Sequence, residues 1–190
     1  MNKIIFLDRD GVISIFKQDD FIKNWEEFKF IPEAIEGLKI LTDSGYKIVI
    51  ISNQSGIGKG IFSKKELDKI TENMKKILNK KGTGIYKVYY CPHREDENCN
   101  CRKPKIGLFL KAKEEIGNID FPKTFFIGDS ERDIIAGKRI GTKTILVLSG
   151  QTKNKKEVDK WKIKPDYIFK NLKEAAEFIT GKRGKKNGKI

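Results

Sequence analysis

Four sets of residues hold most of the reactive side chains in this 190-residue chain. Asp8 and Asp10 stand two positions apart, directly after the apolar run Ile4-Ile5-Phe6-Leu7. Ser52-Asn53-Gln54-Ser55 follows a second apolar run, Lys103 stands in Arg102-Lys103-Pro104, and Gly128-Asp129 has Asp133 close behind. Asp8 and Asp10 after one strand and Asp129 after another are expected to converge on one point, and three carboxylates brought together repel one another. A hard cation relieves the repulsion, because Mg2+ takes oxygen ligands, holds one or two carboxylates plus waters, and accepts a phosphate oxygen. With its charge compensated, an ionised Asp8 can attack phosphorus, and Asp10 is spaced to protonate the leaving oxygen and later to activate water. The Ser52 hydroxyl and the Lys103 cation would stabilise the charge that builds on the equatorial oxygens. A single Asp after a strand is commonly a turn former; the set points to phosphoryl transfer.

Cys91-Pro92-His93, followed after five residues by Cys99-Asn100-Cys101, contains every cysteine and the only histidine of the chain. An odd number of closely spaced cysteines makes a poor disulfide framework. Three thiolates and one imidazole are instead a complete tetrahedral set for Zn2+, with no position left for water, so the expected role is structural. Such a clip would fix a polar loop and deliver Arg102 and Lys103 to the phosphate site.

These residues must be positioned by regular elements. Near-continuous apolar runs at 3–7, 47–51, 86–90, 124–127 and 144–148 predict strands buried on both faces. Between them, Pro32-Glu33 opens a helix that stops at Gly45. Ser63 and Glu66 form a capping box ahead of an apolar face of Leu67, Ile70, Met74 and Ile77. Helices are also expected over 107–116, 131–140 and 172–179, with a last edge strand over 165–169. This alternation predicts an α/β fold: a doubly wound parallel sheet with helices on both faces, in one domain over 1–180, followed by a basic disordered tail over 181–190. In such sheets ligands gather at the carboxyl ends of the strands, where the residues above fall.

The ordered set Asp8-x-Asp10-Gly11-Val12, Ser52-Asn53, Lys103 and Gly128-Asp129 with Asp133 resembles the four motifs of the haloacid dehalogenase (HAD) superfamily of phosphatases, over about residues 3–150. The fold implied is HAD-like and Rossmann-type. Cys-Pro-His and Cys-x-Cys-Arg-Lys-Pro look like the branch that contains heptose-bisphosphate and histidinol-phosphate phosphatases. Ser55 favours the heptose side, since the histidinol-phosphate enzymes tend to have Asp there. The resemblance implies Asp8 as nucleophile, Asp10 as acid and base, and Asp8, Asp129 and the Asp10 carbonyl as Mg2+ ligands. Ser52 and Lys103 would hold the transferred phosphoryl group, and Arg102 the second phosphate of a bisphosphate. Phe16, Lys17, Gln18 and Asp19, with Ser52, Asn53, Gln54 and Ser55, would touch the sugar. Ser130 departs from the pattern, since Lys often follows the metal Asp. No large insertion separates the motifs, so a capless, open site is expected, with specificity resting on the zinc loop and the loop after the first strand.

The balance of 40 Lys+Arg against 26 Asp+Glu, +14 at pH 7, raises the prospect of a polyanionic partner. Most of the excess lies elsewhere than the motifs: six Lys stand against Glu157 and Asp159 in 152–164, and four Lys and Arg183 in 181–190. The expected partner is therefore a small phosphorylated sugar, with nucleic acid disfavoured. Gly56-Ile57-Gly58-Lys59-Gly60 lacks the Ser/Thr of a P-loop and reads as an ordinary loop. Trp25, Phe28 and Phe30 read as a flap and core entry before the first helix, not as base-stacking platforms. No apolar run is long enough to span a membrane, and the N-terminal run is too short for a secretory signal, so a cytoplasmic, monomeric protein is expected.

Overall fold

Residues 3–181 are described by a computed structural model. The apolar runs form six strands: β1 (Ile4–Leu7), β2 (Lys47–Asn53), β3 (Lys87–Cys91), β4 (Phe125–Gly128), β5 (Lys143–Val147) and β6 (Tyr167–Phe169). All pair in parallel, in the order β3-β2-β1-β4-β5-β6. The order reverses beside β1, and the crevice outside the carboxyl ends there is where such sheets bind ligands.

The connecting helices are α1 (Ala34–Asp43), α2 (Lys64–Lys80), α3 (Gly107–Ile116), α4 (Glu131–Ile140), α5 (Lys155–Val158) and α6 (Leu172–Thr180). Successive residues of a strand point to opposite faces, so both faces of β1 and β2 need cover. Ile5, Leu7, Ile48 and Ile50 pack with Leu38, Leu41, Met74, Leu78, Ala175 and Ala176 of α1, α2 and α6. On the other face, Ile4, Phe6, Val49 and Ile51 meet Leu108, Phe109 and Ala112 of α3 and Ala136 of α4. Phe109 stands edge-on to both Phe6 and Phe126, with centroids about 5 Å apart.

Several boundaries differ from the sequence expectation. The run at 32–33 is a turn, and α1 starts at Ala34. The buried stripe of α2 ends on Leu78, not Ile77, because four residues after Met74 returns to the same face. β2 extends to Asn53 because Ser52 and Asn53 pair with Tyr90 and Cys91, so these residues end strands instead of following them. The Ser63 cap is present, its Oγ accepting the Glu66 N–H at 3.1 Å. Trp25 stacks on Phe28, which meets Phe30 edge-on; Phe28 is buried in the core, and Trp25 and Phe30 pack against it, partly buried. The tail expected over 181–190 lies, from 182 onward, outside the described residues. Among the described residues, no helix is long and apolar enough to cross a membrane.

Candidate active site

Asp8 leaves the end of β1, where its N–H bonds the Ile127 carbonyl at 2.9 Å. Asp129 leaves the adjacent β4, and Asp133 sits one helical turn later at the start of α4. Carboxylate oxygens of these three residues all lie within 4.8 Å of one another. One cation stands among them: the buried Lys103 Nζ is 2.8 Å from Asp8 Oδ2 and 2.6 Å from Asp133 Oδ1. One lysine for three carboxylates leaves net negative charge in a poorly solvated site, and the proton affinities reflect it. Burial pushes the Asp8 carboxyl above the ordinary range, against the pull of Lys103. Burial, then Asp133 and Asp8, push Asp129 well above it. Burial also opposes the charge on Asp133, yet Lys103 and Arg132 hold its carboxyl below the usual range.

Asp133 is the member of the cluster to which the sequence assigned no role. Its Oδ2 accepts the Ser130 N–H at 3.1 Å and the Ser130 hydroxyl, a helix cap, while Oδ1 holds Lys103. The S-x-x-D spacing of a capping box signalled the first task but not the second. Asp129 is squeezed from both sides. A Cβ at Gly11 or Gly150 would lie 2.1 or 2.0 Å from its Oδ2, so only glycine fits at either place. That oxygen also accepts the Gln151 N–H at 2.6 Å.

The Asp10 carboxylate points into a different set of partners. Arg9 Nε and Nη2 grip it at 2.9 and 2.8 Å, Ser14 Oγ donates at 2.7 Å and Gln54 Nε2 at 2.9 Å. Burial opposes its charge, but the fully buried Arg9 holds the carboxyl below the ordinary range. The expected convergence of the Asp8, Asp10 and Asp129 carboxylates is therefore corrected: Asp133 takes the third place because Arg9, Ser14 and Gln54 hold the Asp10 carboxylate, which leaves the carbonyl of Asp10 for the expected Mg2+ contact. Ser52 is buried and within 3.2 Å of Gln54 Nε2.

Asn53 and Gln54, expected against the sugar, hold other protein groups. Asn53 donates to the Lys103 carbonyl at 3.1 Å and accepts its N–H at 3.0 Å, fixing the lysine backbone. Gln54 bridges Asp10, Ser52 and Arg9. Both still line the cavity, of about 420 Å3, with Asp8, Asp10, Ser52, Ser55, Arg102, Lys103 and Asp129. Phe16, Lys17 and Asp19 line it too; Gln18 does not, being turned to solvent. Sequence reading missed Asp20, Phe21, Ile22, Lys59, Glu95 and Gln151, which come to the rim from loops, and Arg132 from the first turn of α4. None of the six lysines of 152–164 lines it.

Cys91, the last residue of β3, converges with His93, Cys99 and Cys101. His93 Nδ1 lies 3.2 Å from Cys101 Sγ, and the Sγ separations run from 3.2 Å (Cys91–Cys101) to 3.6 Å (Cys91–Cys99). These are far longer than a disulfide and near the roughly 3.7 Å edge of a tetrahedron with Zn–S bonds of about 2.3 Å. The donor chemistry and the geometry both fit zinc. Burial works against a thiolate at Cys99, but the Arg102 N–H and neighbouring thiols bring it down to about 7. The loop is tied to the chain after β2, where Gln54 N–H bonds the Cys91 carbonyl at 2.7 Å and Gly58 N–H the Pro92 carbonyl at 3.0 Å. Arg102 leaves this loop half-sheltered, its Nη2 on Glu95 Oε1 at 2.6 Å.

A family profile described as HAD-hydrolase-like matches residues 100–175. The chain is 36% identical to a Pasteurella multocida protein named D-glycero-beta-D-manno-heptose-1,7-bisphosphate 7-phosphatase, across 95% of this chain and 98% of that one. It is 37% identical to a Campylobacter jejuni protein named for the alpha anomer of the same sugar, across 95% and 97%. Among solved structures it is similar to D,D-heptose 1,7-bisphosphate phosphatase from B. bronchiseptica complexed with magnesium and phosphate. The TM-score is 0.87 at 28% identity, covering 95% of this chain and 99% of that one.

Proposed function

The chain belongs to the HAD-like D-glycero-D-manno-heptose-1,7-bisphosphate 7-phosphatases, and from that membership we propose that it removes the 7-phosphate of this sugar bisphosphate and leaves the anomeric phosphate in place. The observation that carries the reading is the Lys103 ammonium between Asp8 and Asp133 at the strand ends, beside Asp129.

The crowded carboxylates fit a divalent cation, for which Asp8, Asp129 and the Asp10 carbonyl are the proposed ligands. When bound, Mg2+ neutralises the site and polarises a phosphate oxygen. The Asp8 carboxylate attacks phosphorus in line, the bond to the sugar O7 breaks, and that oxygen takes a proton from Asp10. Water then attacks the aspartyl-phosphate phosphorus, Asp10 takes the water's proton, and inorganic phosphate leaves with Asp8 regenerated. Lys103 and Ser52 hold the equatorial oxygens through both halves. The Arg9 fork keeps Asp10 ionised in the resting geometry, which is the state of the base; the acid half requires it to enter protonated.

Zinc on Cys91, His93, Cys99 and Cys101 holds the loop that carries Arg102 and Lys103, so its contribution is to position them. Arg102 offers its planar fork to the anomeric phosphate. The relatives' names cover both anomers, and the decisive experiment is a phosphate-release assay with Mg2+ on the alpha and beta heptose 1,7-bisphosphates and on histidinol phosphate. Release of the 7-phosphate alone from a heptose substrate is expected; turnover of histidinol phosphate alone would overturn the reading.

A further inference from the structure

The rim beside Arg102 holds more charge than the reaction at Asp8 uses. Arg102 donates Nη2 to Glu95 at 2.6 Å, while its buried Nη1 has no hydrogen-bond partner. The two ends of this ion pair differ in solvation: the Arg102 side chain is 13% exposed and that of Glu95 80%. Arg132 lines the same cavity; its Nη2 donates to Gln151 Oε1 and its Nε lies 3.2 Å from Ser130 Oγ. Arg132 also borders the adjoining surface pocket, with Arg102 and Glu95 between the two spaces. Both Arg132 and Lys59 act electrostatically on the Glu95 carboxylate.

We propose that Glu95 is a built-in counter-ion that occupies the Arg102 guanidinium until the second phosphate of the substrate displaces it, and that Arg132 is the second arm of that anion subsite. The inference rests on the bisphosphate reading and names what selects for the second phosphate. A carboxylate so open to water adds little by its pairing, so its displacement is cheap for a dianion that satisfies both Nη2 and the unpartnered Nη1. A ligand without a second phosphate has nothing to offer Arg102 and leaves the pair closed. Arg132, the second residue of α4, brings a second cation to the cavity that Arg102 lines.

The test compares wild type, Glu95→Gln and Arg132→Gln on a heptose 1,7-bisphosphate and on p-nitrophenyl phosphate, which has one phosphate. Removing the competing carboxylate should lower KM for the bisphosphate by up to about fivefold. Removing the second arm should raise it by about tenfold. Each change should be felt in KM more than in kcat, and in the bisphosphate far more than in the single-phosphate ester. A Glu95→Gln enzyme with a raised bisphosphate KM would show that the carboxylate props Arg102 in place, and overturns the counter-ion role. Equal shifts on both substrates for Arg132→Gln overturn the second arm. Wild-type protein that turns over p-nitrophenyl phosphate but not the bisphosphate overturns both the functional reading and this inference, an outcome distinct from the other two.

Discussion

The carboxylates of Asp8, Asp129 and Asp133 and the sulfur and nitrogen donors of Cys91, His93, Cys99 and Cys101 gather at the same edge of one sheet, yet only the first cluster opens into the cavity. The oxygen cluster is short of positive charge, with a single lysine inside it, and burial drives Asp8 and Asp129 toward their protonated forms. The sulfur cluster is a full tetrahedral set whose members already touch one another. A metal used for chemistry needs ligand positions left over for substrate, whereas a metal used for structure needs none. The contrast lies in donor number and access, and the loop of the second cluster supplies the lysine of the first.

The sharpest way to separate the two is to remove chemistry without touching structure. Asp8→Asn should cut turnover by roughly 10^4 or more while zinc content, read by elemental analysis, stays at wild-type level; retained turnover breaks the assignment of Asp8. A second substitution moves a ligand without changing any donor. Gly150→Ala places a Cβ against Asp129 Oδ2, and a displacement on that scale should cost about 10^2 in kcat/KM, with the Mg2+ concentration for half-activity rising in parallel.

Cys101→Ser tests the dependence of one cluster on the other. It should lose zinc, lower the melting temperature, and reduce kcat/KM by about 10- to 100-fold because Lys103 is no longer held. A zinc-free protein with full activity would mean that the Asn53–Lys103 backbone bonds suffice. The smallest effect is expected far from both clusters, at Asp166. Burial opposes its charge, but Lys138 and the Thr144 N–H and hydroxyl hold its carboxyl below the ordinary 3.8. A folded pKa below the unfolded one gives stability that is complete at neutral pH and is lost as pH falls below about 4. Asp166→Asn should therefore lower the melting temperature by about 1–3 °C at pH 7, with the difference from wild type shrinking in acid.

Most of the architecture was legible because burial on both faces leaves continuous apolar runs, and because Ser63 and Gly45 mark helix ends chemically. Strand ends were less legible. Ser52 and Asn53 are polar yet remain in β2, since their pairing with β3 is a property of the neighbour and not of their own side chains. Among site residues, Asp8 and Asp129 come together as their places after parallel strands suggested, and Lys103 arrives from the cysteine loop. Gln18 instead faces solvent, and Asn53 serves Lys103, because a loop's side-chain directions depend on turns such as the left-handed Asp19 (φ 57°) that no periodicity announces.

The sequence by itself determined the donor chemistry: which residues can be nucleophile, base, cation and thiolate, and that they follow strands of a parallel sheet. Those facts are local, carried by residue type and short spacing. Only the tertiary structure decided how charge is shared. It put Asp133 on Lys103, turned Asp10 toward Arg9, pressed Gly11 and Gly150 against Asp129, and set Glu95 on Arg102. The Lys103–Asp133 and Gly11–Asp129 approaches join separate segments of the chain, and even the neighbours Arg9 and Asp10 are both bonded by Gln54 from another strand end; electrostatic energies in a buried site change steeply with such distances.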